Sequence, residues 1–129
     1  MPVIAERITQ PSEQDLIDLS KTYEGDIDWL HALLASPDML VGGRFNNRLL
    51  AAFILRDQQN HWSLERLQVR EITRRRGVAR QTIHSALQIL NIKQPISVDL
   101  STHPELCGLF ESLGFDLQAS SERVMQWQP

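Results

Sequence analysis

Three features of the sequence predict an α/β fold with a mixed central sheet flanked by helices. Leu64 to Val69 alternates apolar and polar residues, the period of a half-buried strand. Ala79, Ile83, Ala86, Leu87 and Leu90 fall at helical spacing, so one stripe of a following helix faces a core. Along the chain, strand-like and helix-like segments succeed one another as β-α-α-β-β-β-α-β-α-β-β.

Each element has a local reason. Val3 to Ile8 reads as the first strand. Ser12 can cap the first helix, with Asp15 as the acidic residue that closes the cap, and Leu16, Leu19 and Tyr23 are expected on its buried face. After Gly25, Ile27 to Leu34 reads as a second short helix with Asp26 as its cap, ended by Pro37 and Asp38. Met39 to Phe45 and Arg48 to Arg56 form a hairpin around Asn46-Asn47, because asparagine tolerates positive φ. The apolar run Leu49 to Leu55 suggests a central strand covered on both faces. His61 to Glu71 is the next strand, and Pro95 to Leu100 follows the amphipathic helix. Pro104 suits a first helical turn, Leu106, Leu109, Phe110 and Leu113 supply that helix's apolar stripe, and Gly114 is placed as its terminating glycine. Phe115 to Gln118 and Arg123 to Trp127 complete the sheet. No repeat, low-complexity segment or linker interrupts the 129 residues, so residues 1–129 are expected to form one domain.

Composition narrows the function. An apolar share of 42% and a charged share of 22% suit a globular protein. A net charge of -3 argues against nucleic-acid binding, and no aromatic platform accompanies the arginine run. The N-terminal residues carry no apolar signal core, and the longest apolar run is too short for a bilayer. With a single cysteine, Cys107, no internal disulfide can form, and a cytoplasmic protein is expected. His31, His61, His84 and His103 are scattered without ligand spacing, so no metal is expected. His84 reads as a surface or boundary residue. Cys107 reads as a small buried side chain rather than a nucleophile.

The segment Arg70 to Arg80, R-E-I-T-R-R-R-G-V-A-R, carries the chemistry. A strand leading through a glycine loop to a helix start is an anion site, because the first helical N–H groups lack intrahelical partners and the dipole favours negative charge. Gly77 removes the side chain where a phosphate would approach the backbone. One arginine at the helix start can bond two phosphate oxygens at once. A solvated basic turn accounts for the other two.

This loop and its context resemble the GNAT superfamily of acetyl-CoA-dependent N-acetyltransferases. The pyrophosphate-loop pattern R/Q-x-x-G-x-G/A is matched by Arg74, Gly77 and Ala79, and L-G-F closes the later helix at Leu113 to Phe115. More closely, R-F-N-N-R-L-L-A-A (Arg44 to Ala52) and L-Q-V-R-E-I-T-R-R-R-G-V-A (Leu67 to Ala79) resemble the PanZ/PanM family. These are GNAT-fold factors that bind acetyl-CoA or CoA and act on the precursor of the aspartate α-decarboxylase PanD. The resemblance implies cofactor contacts at Leu67, Gln68 and Val69, by strand-like pairing with the pantetheine arm, and at Thr73, Arg74, Arg75, Arg76, Gly77, Val78, Ala79 and Arg80. The family pattern R-R-R-G-V-G-Q is met here with Ala79 and Arg80 in its last two positions.

The resemblance further implies promotion of PanD precursor self-cleavage, regulation of pantothenate synthesis, and a monomer apart from the partner complex. Arg44 and Asn46 are the candidate partner contacts, since both can donate hydrogen bonds outward, although residue chemistry alone favours Asn46 as serving only the turn's positive φ. Many relatives place a tyrosine acid four residues before the glycine of L-G-F, and here that residue is Phe110. Glu65 is the candidate base, and an ordinary exposed position of an alternating strand explains it as well. The expectation is a CoA-dependent regulatory binder with weak acetyl transfer at most; the alternative is an active acetyltransferase for a small-molecule or protein amine.

Overall fold

A computed structural model describes residues 2–70, 77–119 and 123–129. The elements are β1 (Ile4–Ile8), α1 (Glu13–Thr22), α2 (Trp29–Leu34), β2 (Met39–Phe45), β3 (Arg48–Asp57), β4 (Trp62–Val69), α3 (Val78–Ile89), β5 (Ile96–Asp99), α4 (Cys107–Ser112), β6 (Asp116–Leu117) and β7 (Val124–Trp127). A 3-10 turn at Pro104–Leu106 leads into α4. The strands form one seven-stranded sheet in the order β1-β2-β3-β4-β5-β7-β6. Neighbours are antiparallel except β4 and β5, so the expected mixed sheet is present.

Strand β3 is the spine. Its residues Leu49 to Leu55 are all buried, and alternate side chains serve opposite faces. Phe53 and Leu55 pack with Ile83 and Ala86 of α3 and Phe110 of α4. Ala52 and Ile54 pack with Leu19 of α1 and Leu30 and Leu33 of α2. The hairpin turns tightly at Asn46 and Asn47, whose φ values of 49° and 65° match the primed turn that fits strand twist.

Local signals at the helix ends hold closely. Ser12 Oγ accepts the Asp15 N–H at 3.0 Å, and Asp15 Oδ2 accepts the Ser12 N–H at 3.2 Å, completing a capping box. Helix α4 ends at Gly114, φ 93°, with the Phe115 N–H donating to Phe110 O and the Gly114 N–H to Glu111 O. That is a Schellman end, and its usual apolar contact is the edge-to-face pair Phe110–Phe115, centroids 5.1 Å apart.

Several expectations are corrected. Leu16 is exposed, because the buried face of α1 is Asp15, Asp18, Leu19 and Thr22. The two aspartates turn inward because arginines of the hairpin meet them. Asp18 receives Arg48 Nε at 3.0 and 3.1 Å and Arg48 Nη2 at 2.7 Å, with the Leu49 N–H at 3.0 Å. Asp15 receives Arg44 Nη1 at 3.1 Å. Helix α2 starts at Trp29, not Ile27, and Asp26 does not cap it; its carboxylate accepts the Asp28 N–H in a local turn before the helix. Strand β4 begins at Trp62 and ends at Val69, β5 lacks its proline and its final leucine, and β6 is two residues long. Cys107 is half-buried rather than buried, at the first turn of α4. His84 is exposed on α3, as its position between stripe residues indicated.

Gly43 lets α3 lie close on β2. A Cβ on Gly43 would overlap Thr82 Oγ1 and come within 2.9 Å of Val3 Cγ1. Thr82 is itself fixed, since its hydroxyl donates to Val78 O at 2.8 Å. Gly43→Ala is therefore expected to destabilise the protein by about 1–3 kcal/mol, measured by urea unfolding; an unchanged midpoint would contradict this packing.

The ion pairs set an acid limit. Burial alone raises the Asp18 carboxyl, but hydrogen bonds from Arg48, the Leu49 N–H and Gln14 outweigh it and hold the group below its ordinary value. Asp15 is lowered in the same way, with Arg44 and Ser12 outweighing burial. Groups depressed on folding stabilise above their unfolded pKa and lose that contribution as pH falls through the folded value. Urea midpoints are thus expected to hold steady above about pH 4.5 and to decline below about pH 4. A midpoint flat to about pH 2 would show that these carboxylates do not stabilise the fold.

Candidate functional site

The parallel pairing of β4 with β5 covers only Trp62 with Ile96 and Ser63 with Ser97. Beyond Ser63 the strands part, and a cleft of about 490 Å³ opens between them. Leu64, Leu106 and Phe110 form apolar wall, while Glu65, Asp99 and His103 supply polar groups. The cause of the parting lies on the other edge of β4. There Ala52 pairs with Gln68 and Ile54 with Glu65, so the single residue Phe53 faces both Arg66 and Leu67. The extra residue is a β-bulge, which bends and twists its strand.

Arg66 carries the bulge in a left-handed conformation, φ 53°, unusual for a residue with a Cβ. Two contacts gather on it, and a third joins the residues that make them. The Tyr23 hydroxyl donates to the Arg66 carbonyl at 2.9 Å. The Arg66 guanidinium lies 4.9 Å from the Trp29 ring centroid, a cation–π distance. Tyr23 and Trp29 meet edge to face at 5.0 Å. Burial pushes the Tyr23 phenol well above its ordinary value, so it remains a donor across the physiological range. The sequence reading singled out neither Arg66 nor Trp29, and placed Tyr23 only on a helix face. The one signal available was a lone tyrosine and a tryptophan flanking the same helix connection.

Leu67, Gln68 and Val69 lie on the arm of β4 that has left β5, with Gln68 exposed and Leu67 and Val69 half-buried. Gly77 is the N-cap of α3, with φ 72° and no side-chain capping bond. Among the described residues, a Cβ there would meet only Gln81 Nε2, at 4.0 Å. The first turn of α3 contains no acidic residue to oppose an anion. Val78 is buried, Ala79 half-buried, and Arg80 exposed with Nε donating to Ser112 Oγ of α4 at 3.3 Å. Thr73, Arg74, Arg75 and Arg76 lie outside the described residues. The arm of β4 that has parted from β5 and the uncapped start of α3 together fit a long ligand ending in phosphate.

Other site candidates fall elsewhere. Glu65 lines the cleft, but its carboxylate accepts Arg56 Nε at 3.0 Å, and Arg56 also reaches Asp38 at 3.0 Å. Phe110 lines the cleft from α4, buried and carrying no hydroxyl. Asn46 stands exposed at the hairpin tip. Arg44 is not turned outward: its guanidinium is shared among Glu6 at 2.7 Å, Asp15 at 3.1 Å and the Asn47 carbonyl at 3.2 Å. Among the described residues no group of three His, Cys, Asp or Glu side chains could hold a metal, and no helix is long and apolar enough to cross a membrane.

Known proteins resemble this chain in sequence and in fold. The PanD regulatory factor of Escherichia coli K12 is 35% identical over 88 residues, a match spanning 64% of this chain and 64% of that protein. The E. coli protein YhhK, solved bound to coenzyme A, superposes with a TM-score of 0.71 at 27% identity, covering 100% of both chains. The Bacillus subtilis N-acetyltransferase YlbP, solved with coenzyme A, has the same fold at 18% identity, with a TM-score of 0.62 over 98% of this chain and 97% of its own. The architecture is thus the GNAT fold that the loop pattern implied. Because the model of the PanZ acetyltransferase (GNAT) domain matches residues 2–123, across both arms of the cleft, this chain belongs to the PanZ family.

Proposed function

We propose that residues 1–129 act as one domain that binds acetyl-CoA or CoA and, so loaded, binds the PanD precursor and promotes its self-cleavage, thereby regulating pantothenate synthesis. The observation that carries this reading is the fork between β4 and β5, with α3 starting at a left-handed Gly77 that receives no side-chain cap. The pantetheine arm would pair with the backbone of Leu67, Gln68 and Val69, completing the edge that β5 leaves. The pyrophosphate would sit before the N–H groups of Val78, Ala79 and Arg80, with Thr73 and Arg74 to Arg76 supplying the rest of the loop. The similarity to PanD regulatory factors and to a coenzyme A-bound relative supports both halves.

Regulation rather than fast acetyl transfer is favoured by the cleft's chemistry. Amine acetylation needs a proton acceptor for the amine and a donor for the departing thiolate. Phe110 has no proton to give, and Glu65 is engaged by Arg56. The partner surface would centre on Asn46 at the exposed hairpin tip. Arg44 would serve it indirectly, bracing the turn through the Asn47 carbonyl.

Cleavage of purified PanD precursor, followed with and without this chain and with and without acetyl-CoA, tests the function. Acceleration is expected only when both are present, and equal cleavage in all four mixtures would overturn the reading. Two variants separate its halves. Gly77→Val should weaken acetyl-CoA binding by at least about tenfold in calorimetry, since a branched side chain fills the phosphate position. Asn46→Ala should weaken binding of the precursor while acetyl-CoA affinity stays within about twofold, because the turn lies away from the cleft.

A further inference from the structure

A left-handed conformation at a residue with a Cβ is strained and persists only where neighbours over-determine it. Arg66 is such a residue, and it stands at the bulge that opens the proposed cofactor cleft. Both groups it can offer are taken from the same side. Its carbonyl is held by Tyr23, at the end of α1, and its guanidinium rests on Trp29, the first residue of α2. Tyr23 and Trp29 brace each other edge to face, and both pack on Leu19, Leu30 and Leu33, so the pair is anchored in the core.

We infer that Tyr23 is a positioning residue: with Trp29 it latches the β4 bulge at Arg66 and so keeps the β4 arm turned away from β5, ready for the pantetheine arm of acetyl-CoA. The inference rests on the cofactor reading given above. Its physical content is specific. Without the latch, Arg66 can relax to negative φ, the bulge loses its twist, and the Leu67–Val69 backbone no longer lies in the open register. Tyr23 touches no reacting atom in this scheme. It acts only through the Arg66 carbonyl, on the half of the site that meets pantetheine. The helix start at Gly77 is a separate element, and an anion held there would not sense the latch.

Calorimetry with two probes, acetyl-CoA and its nucleotide half 3′,5′-ADP, tests this on the wild-type chain, Tyr23→Phe, and Tyr23→Phe combined with Arg66→Gly. Tyr23→Phe keeps the ring packing and removes one hydrogen bond, so acetyl-CoA affinity should fall roughly three- to tenfold while 3′,5′-ADP affinity is unchanged. Glycine adopts positive φ without penalty, so adding Arg66→Gly should restore part of the lost acetyl-CoA affinity. A merely structural tyrosine would weaken both probes together and would not be rescued by glycine; either result overturns the latch, as does a Tyr23→Phe variant with wild-type affinity for acetyl-CoA. A wild-type chain that binds neither probe would overturn the cofactor reading itself, and the latch with it.

Discussion

One residue too many in β4 shapes the functional half of this molecule. A sheet of seven strands closes most of its backbone hydrogen bonds between neighbours, and a gap in that ladder exposes polar groups that need a partner. Here the gap follows from the bulge at Arg66, where two residues of β4 face one of β3. The strand bends, its pairing with β5 stops after Ser63, and the cleft opens above Phe110. Strand β3 cannot follow the bend, because Leu49 to Leu55 are packed from both faces. The strain therefore stays in β4, where Tyr23 and Trp29 receive it.

The helices on the two faces have different work. On one face, α4 supplies apolar wall of the cleft through Phe110, and α3 starts at Gly77. On the other, α1 is bound to the hairpin by charge as much as by packing. Asp18 is fully buried and still fully satisfied, by Arg48, the Leu49 N–H and Gln14. A buried carboxylate with that many donors is tolerated because each lone pair is used; removing a single partner would leave an expensive charge. The same helix ends at Tyr23. The proposed partner surface at Asn46 and the proposed cofactor cleft are thus both attached to α1, one through Arg44 and Arg48, the other through the Arg66 carbonyl.

Features governed by neighbours in sequence were legible in advance. The Ser12–Asp15 box, the Asn46-Asn47 turn and the Gly114 helix end each depend on a few adjacent residues, and each formed as read. Features governed by distant partners were not. Leu16 looked buried because its spacing was right, yet Arg44 and Arg48, some thirty residues on, drew Asp15 and Asp18 inward instead. Arg44 looked available to a partner because Glu6 is remote in sequence. No local signal marks Arg66 for positive φ, since arginine has no preference for it. The strand–glycine–helix passage at Gly77 was legible because three chemical needs coincide there, while Thr73 to Arg76 rest on resemblance alone.

In the proposed complex the arm of β4 that parts from β5 receives a ligand along its backbone. Hydrogen–deuterium exchange of the wild-type chain, resolved by residue with and without acetyl-CoA, tests it most directly. The predicted result is slowed exchange at the Leu67–Val69 amides and at the start of α3, with the edge strand β1 unaffected. Acetyl-CoA protection confined to other elements, with Leu67–Val69 exchanging as before, would contradict it.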